Sequence, residues 1–212
     1  MKIFDLVFLG SVVACAMLIM RALYLLVRKK WRAAARTMVF LVAFVGAYVA
    51  VLIGVSLTSS PSYVPLGTEF RFDDWCFAVV DSQRVSELGD GRGVLRPRGV
   101  FQLVTIDVSN RGRGRPQRER NVGAYLLDGT GRRYDVSESG QGALDSSGRG
   151  GLALDSVVNA GASVRRTLVF EVPKDAADLG VVVYHGTGPR IIIGESQSYL
   201  HAPLVTRLSG QK

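Results

Sequence analysis

Two long apolar runs open the chain, and a different pattern follows them. Leu6 to Met20 is uninterrupted and resumes after Arg21 as far as Val27. Met38 to Leu57 is a second run of 20 residues without a charge. A helix needs roughly 20 apolar residues to cross a bilayer, so residues 1–58 are expected to form a two-helix transmembrane hairpin. Arg21 lies near one end of its run, where its stem can snorkel to the headgroups. Residues 59–67 are small, polar and proline-bearing and read as a linker. From Thr68 the apolar runs shorten and turn signals separate them. The candidate strands are 69–72, 75–81, 100–109, 123–127, 132–137, 163–172, 179–184, 190–193 and 198–204. Val104, Ile106 and Val108 alternate with Thr105 and Asp107 in the period of a half-buried strand, and Leu168, Phe170 and Val172 repeat that spacing. Asp128 to Gly131 reads as a hairpin turn, and 174–178 as a single turn between strands. No helical period of useful length is seen here. The expected architecture is an all-β two-sheet sandwich over 68–208 with a short tail, 209–212.

Charge refines this picture. The net charge is +8, but residues 1–58 hold seven Lys and Arg against one acid, and residues 59–212 hold nineteen against seventeen. The excess therefore belongs to the segment between the apolar runs, which argues against a nucleic-acid binder. Arg28, Lys29, Lys30, Arg32 and Arg36 crowd residues 28–37. By the positive-inside rule this loop is cytoplasmic and both chain ends lie outside. A lipoprotein signal ending at Cys15 is disfavoured, because the apolar run continues beyond it. Gly46, Ala50 and Gly54 form a small-residue stripe at i, i+4, i+8, and Gly10 and Ala14 repeat its spacing. Counted from the basic loop the two stripes lie at matching depth, so they are expected to pack against each other.

Four patterns follow one another in the second region: Phe70–Trp75 (Phe-x-Phe-x-x-Trp), Val104–Asn110 (Val-x-Ile-x-Val-x-Asn), Leu126–Tyr134 (Leu-x-Asp-x-x-Gly-x-x-Tyr) and Gly161–Pro173. In order and spacing they resemble a bacterial extracytoplasmic immunoglobulin-like family of unknown function, over roughly 68–185. The resemblance implies an immunoglobulin-like sandwich behind a membrane anchor, here a two-pass protein of the bacterial inner membrane. It brings no catalytic residues. This chain departs from it in having two helices and an arginine-rich insertion after Asn110.

Arg111, Arg113, Arg115, Arg118 and Arg120 fall within ten residues that hold one acid, Glu119. Guanidinium groups suit bidentate contacts to phosphate or carboxylate, so one reading is an anion- or partner-binding loop, extended until an anion gathers it. The other is a solvated loop, favoured because Arg outnumbers Lys 17 to 2 beyond residue 58. Gly140 to Gly151 reads as a flexible loop, and Ser146 and Ser147 lack a nucleophile-elbow pattern. A hydrolase would need His185 or His201 as base. Two His and two Cys are too few for a metal cage, and Asp73, Asp74 and Asp81 lack calcium-loop spacing. Trp75 is expected in the core, with Cys76 half-buried on the opposite face. No cofactor, no metal and no nucleic acid is expected; the partners expected are the lipid bilayer and a membrane or envelope protein. The function expected is non-enzymatic: an extracytoplasmic binding or scaffolding module, accessory to an envelope complex. An envelope ligand or stress sensor and a Ser/His hydrolase are the alternatives.

Overall fold

A computed structural model describes residues 3–72, 74–89, 93–185, 191–194 and 198–208. The chain divides into two compact units, Met1–Pro61 with Gly188–Pro203, and Ser62–Thr187 with Leu204–Lys212.

In the first unit α1 (Ile3–Val27) and α2 (Trp31–Thr58) are both long and apolar enough to cross a membrane. Lys29, at φ 57°, makes the turn between them in the left-handed region. The Lys30 amide reaches back to the Leu25 carbonyl at 2.9 Å, closing the end of α1. The loop expected over 28–37 is therefore only three residues long, and Arg32 and Arg36 stand on the first turns of α2. Ala22 of α1 is buried, and on α2 the buried positions are Ala34, Thr37, Leu52 and Ser56. The small-residue stripes do not line this contact, contrary to expectation. Gly10, Gly46, Ala50 and Gly54 are exposed and Ala14 is half-buried. A Cβ added at Gly10, Gly46 or Gly54 would meet nothing within 4 Å. The reason is azimuth. Equal depth says nothing about rotation about a helix axis, and Ala50 and Gly54 each precede a buried residue, Leu52 and Ser56, by two positions. At 3.6 residues per turn that is about 200°, the opposite face.

The second unit is a β-sandwich. One sheet runs β1 (Ser62–Val64), β11 (Leu204–Arg207), β10 (Gly180–His185), β7 (Val122–Leu127), β8 (Arg133–Tyr134). The other runs β2 (Glu69–Phe72), β3 (Trp75–Val85), β6 (Val100–Asn110), β9 (Ser163–Val172). β1 pairs with β11 in parallel, and the other ladders are antiparallel. Alternate residues of β6 and β9 face inward. Val104, Ile106 and Val108 meet Leu168, Phe170 and Val172 in one apolar cluster with Trp75, Phe77, Leu126, Val181 and Val183. A fully buried Val, Leu, Ile or Phe stabilises the fold by roughly 1.5–3 kcal/mol, and this cluster holds the two sheets together.

Several elements differ from the pattern-based expectation. Gly140 to Gly151 is not a flexible loop throughout, since α3 (Glu138–Ser146) occupies its first half. The Ser137 hydroxyl caps α3 by accepting the Gly140 amide at 3.2 Å. Leu144 of α3 joins Leu88, Phe101 and Val169 in a second small core on the outer face of a sheet. A two-stranded hairpin, β4 (Leu88–Gly89) with β5 (Val94–Leu95), supplies Leu88 and Leu95 to it. The strand expected over 132–137 shrinks to β8. Residues 191–194 form turns rather than a strand, and the last strand starts at Leu204 rather than Ser198. β1 falls inside the expected linker. The tail 209–212, Asp73 and Arg190 lie outside the described residues. Cys76 is buried rather than half-buried, at 3% exposure.

Candidate functional site

The arginine-rich segment connects β6 to β7, and one buried residue organises it. Asn110, the last residue of β6, is fully buried. Its Oδ1 accepts the Gly112 amide at 2.9 Å, and its Nδ2 donates to the Val158 carbonyl at 2.9 Å and the Arg115 carbonyl at 3.2 Å. Two backbone bonds between Gln117 and Val158, at 3.0 and 2.9 Å, fasten the far side of the loop. Asp74 holds the near side, its carbonyl accepting the Arg111 amide at 2.7 Å and its carboxylate the Gln117 side chain at 3.1 Å. Hydrogen bonds within the chain thus tie both sides of the loop to the sandwich. Hydrogen bonds of about 1 kcal/mol each outweigh repulsion between side chains that point into high-dielectric water.

This framework sorts the arginines. Arg111 pairs with Glu69 at 3.1 Å. Arg118 grips Asp155 through two bonds, to its carbonyl at 2.7 Å and its carboxylate at 2.6 Å. The guanidinium beside Asp155 holds that carboxyl below its ordinary pKa range. Arg113, Arg115 and Arg120 are exposed and make no ion pair among the described residues. They stand at the end of the sandwich where β1 and β11 begin and β10 ends, since Val122 of β7 pairs with His185 and Ser62 with Leu204.

The other sequence candidates are dispersed. Trp75 is buried and stacked on Phe77 with centroids 6.4 Å apart. The hydroxyls of Ser146 and Ser147 donate to the Gly142 and Leu144 carbonyls, each at 2.7 Å. The His201 ring lies 2.8 Å from the Ala202 carbonyl, and the His185 side chain is outside the described residues. No group of three or more His, Cys, Asp or Glu suited to a metal occurs among the described residues. Cys15 and Cys76 are both free thiols.

Sequence reasoning missed a second cationic feature, at the opposite end of the sandwich. A shallow cleft of about 760 Å³ is lined by Arg98, Arg132, Tyr134, Glu171, Pro173 and Lys174 among others. Its charges are partly answered from within. Glu171 accepts the Arg98 amide at 2.7 Å, and Arg132 stands 5.4 Å over the Tyr134 ring. These residues lie far apart in sequence, so no local motif announces them.

Several solved structures are similar to this chain. A conserved hypothetical protein from Bacillus anthracis is 17% identical, with a TM-score of 0.48, over 56% of this chain and 88% of its own. The secreted protein MPT63 from Mycobacterium tuberculosis is 13% identical, with a TM-score of 0.42, over 71% of this chain and 99% of its own. An uncharacterized beta-sandwich protein from Clostridium difficile 630 is 9% identical, with a TM-score of 0.42, over 71% and 96%. No curated protein matches. A family match covers residues 64–189 and brackets the span 68–185 marked by the strand motifs. The chain therefore belongs to the family described as domain of unknown function DUF4352.

Proposed function

We propose that this protein is a two-pass inner-membrane protein whose extracytoplasmic, immunoglobulin-like sandwich binds anionic groups, as an accessory module of an envelope complex. Three features support the anchor and its orientation: two charge-poor helices, a basic turn at Arg28–Lys30, and Arg32 and Arg36 on the adjoining helical turns. The immunoglobulin-like reading rests on connectivity. β3, β6 and β9 take the places of strands A, B and E, and β8, β7, β10 and β11 those of C′, C, F and G. α3 stands where the chain of such a domain often forms strand D. With three residues joining the helices there is no cytoplasmic effector, so a sensor would need a membrane partner.

The observation that carries the binding reading is a hydrogen-bonded loop that presents Arg113, Arg115 and Arg120 exposed, outside the ion pairs that hold Arg111 and Arg118. Its framework does not depend on those side chains, so they are available to phosphate or carboxylate groups outside the chain. The test uses the full chain in nanodiscs, with Cys15→Ala, Cys76→Ala and an environment-sensitive dye on Pro116→Cys. Emission should shift to shorter wavelength when phosphatidylglycerol replaces phosphatidylcholine. Changing Arg113, Arg115 and Arg120 to Gln, or raising salt, should remove the shift. Equal emission in both lipids would refute the reading for lipid headgroups. For orientation, an alkaline phosphatase fusion after Leu66 should be active and one after Lys30 inactive; the reverse pattern would overturn the localisation.

A further inference from the structure

The connection from β10 to β11 belongs with the helices rather than the sandwich, since Gly188–Pro203 groups with Met1–Pro61. It contains Ile191-Ile192-Ile193 and Tyr199-Leu200, and no acid, Lys or Arg among its described residues. Arg190 and Glu195 bracket the isoleucines in sequence.

Several of its described backbone groups find partners within the same unit. Tyr48 Oη donates to the Ile191 carbonyl at 2.7 Å. The Ser198 hydroxyl, buried at 5% exposure, donates to the Ile192 carbonyl. The Ala202 amide donates to Ser59 Oγ at 2.8 Å, and the His201 amide to the Ser198 carbonyl at 3.0 Å. Gly194 lies against α1, where an added Cβ would sit 3.3 Å from Cε2 of Phe4.

Depth follows from these partners. Tyr48 is nine residues inside Leu57, the outer end of the charge-free run. At about 1.5 Å per residue that is roughly 14 Å, near half of a hydrocarbon core of about 30 Å. Ser59 marks the surface end of the same helix. The segment therefore runs alongside α2 between the level of Tyr48 and the helix end. Non-helical backbone is tolerated at such depth only where its polar groups find partners in the protein, and here hydroxyls supply them. Ile191, Tyr199 and Leu200 remain 48%, 63% and 57% exposed. Leu200 sits at φ +63°, a region where glycine is free of strain and leucine is not.

We infer that residues 191–194 and 198–203 form a re-entrant loop whose Ile191 and Leu200 enter the acyl chains of the outer leaflet, with Tyr199 at the interface. The inference rests on α1 and α2 spanning the bilayer. The test keeps the full chain with Cys15→Ala and Cys76→Ala, in phosphatidylcholine proteoliposomes. A nitrobenzoxadiazole dye is placed singly on Ile191→Cys, on Val13→Cys (an exposed α1 position) or on Leu152→Cys (an exposed sandwich position). Doxyl lipids should quench Ile191→Cys and Val13→Cys alike, and iodide should quench both several-fold less than Leu152→Cys. Iodide quenching of Ile191→Cys at the level of Leu152→Cys, with Val13→Cys still protected, would overturn the re-entrant loop while the helices span. Exposure of Val13→Cys to iodide would overturn the spanning reading and the loop with it. Adding Tyr48→Phe should raise iodide quenching of Ile191→Cys about twofold or more and leave Val13→Cys unchanged. No change at either position would overturn anchoring through the Tyr48 hydroxyl.

Discussion

Asn110→Ala tests whether one buried amide builds the arginine loop. The substitution removes three side-chain hydrogen bonds. Their acceptors and donors fare differently. The Val158 carbonyl keeps the Gln117 amide at 3.0 Å, and the Arg115 carbonyl, in an exposed residue, turns to water. The Gly112 amide is buried and loses its partner. An orphaned buried donor costs about 1–3 kcal/mol, and each lost bond with a satisfied remainder about 1 kcal/mol. The expected loss is about 3 kcal/mol, more than a hundredfold in the folding equilibrium. The backbone bonds of Asn110, to Ala162 at 3.1 Å and from Gly161 at 2.8 Å, survive in alanine, so the cost belongs to the side chain. Urea unfolding of the full chain in detergent measures it, followed by Trp75 emission in a Trp31→Phe background. With a denaturant slope of about 1–3 kcal/mol per molar, the midpoint should fall by roughly 1–3 M. Asn110→Asp should lose at least as much, because a carboxylate would face the Val158 and Arg115 carbonyls. A cost below about 0.5 kcal/mol would show that the loop is held by its backbone ladder to Val158 and that Asn110 only fills space.

Two further substitutions probe other joints of the sandwich. Asp128 accepts the Thr130 and Tyr134 hydroxyls at 2.6 and 2.8 Å with the Thr130 and Arg132 amides, and these hold its pKa down at about 2. A depressed folded-state pKa stabilises above the ordinary value of about 3.9 and is lost as pH falls towards 2. Asp128→Asn should therefore lower stability at neutral pH and flatten the acid-unfolding curve between about pH 4 and 2; an unchanged curve would refute the assignment. Gly140→Ala would place a Cβ 2.7 Å from Cγ1 of Val169 and 3.1 Å from Cε1 of Phe101. Overpacking of this kind costs roughly 1–3 kcal/mol, and a stabilised variant in thermal unfolding would mean that α3 can lift from the sheet.

What could be read from the chain was whatever follows from one-sided burial. β6 and β9 announce themselves because inward residues are apolar and most outward ones polar, as in Asp107 paired with Arg165 at 2.6 Å. Elements covered on both faces break that alternation. Leu168-Val169-Phe170 is apolar without a gap, and Val169 is the residue α3 covers. That run was the available signal for a covering element. α3 itself carries Gly140 and Gly142 and buries only Gly140 and Leu144, so no helical period shows. It exists because Ser137 caps it and the missing Cβ of Gly140 admits it to the sheet. Ile191-Ile192-Ile193 misled for the converse reason: three β-branched residues favour strand, but Tyr48 and Ser198 take their carbonyls, and tertiary bonds override propensity. For the loop, the motif Val-x-Ile-x-Val-x-Asn did contain Asn110, the residue that matters most. Parity along β6 turns it towards the interior with Val104, Ile106 and Val108, and a buried amide must be fully bonded.

The two loops adjoin neighbouring strand ends, because β7 begins and β10 ends at the paired residues Val122 and His185. One is cationic and the other apolar, and they obey different physics. Attraction between exposed arginines and anionic headgroups is screened, with a Debye length falling from about 10 Å at 0.1 M salt to about 3 Å at 1 M. Removal of Ile191 and Leu200 from water is not screened, and salts such as sulfate strengthen it. Raising salt should therefore abolish the lipid-dependent emission shift at Pro116→Cys while the dye on Ile191→Cys stays protected from iodide. Gln at positions 113, 115 and 120 should act on the first readout alone, and Tyr48→Phe on the second. If salt released both together, the apolar loop would be held at the membrane by charge rather than by burial of its own side chains. The hydroxyl bonds to Ile191 and Ile192 would then organise the loop without placing it in lipid.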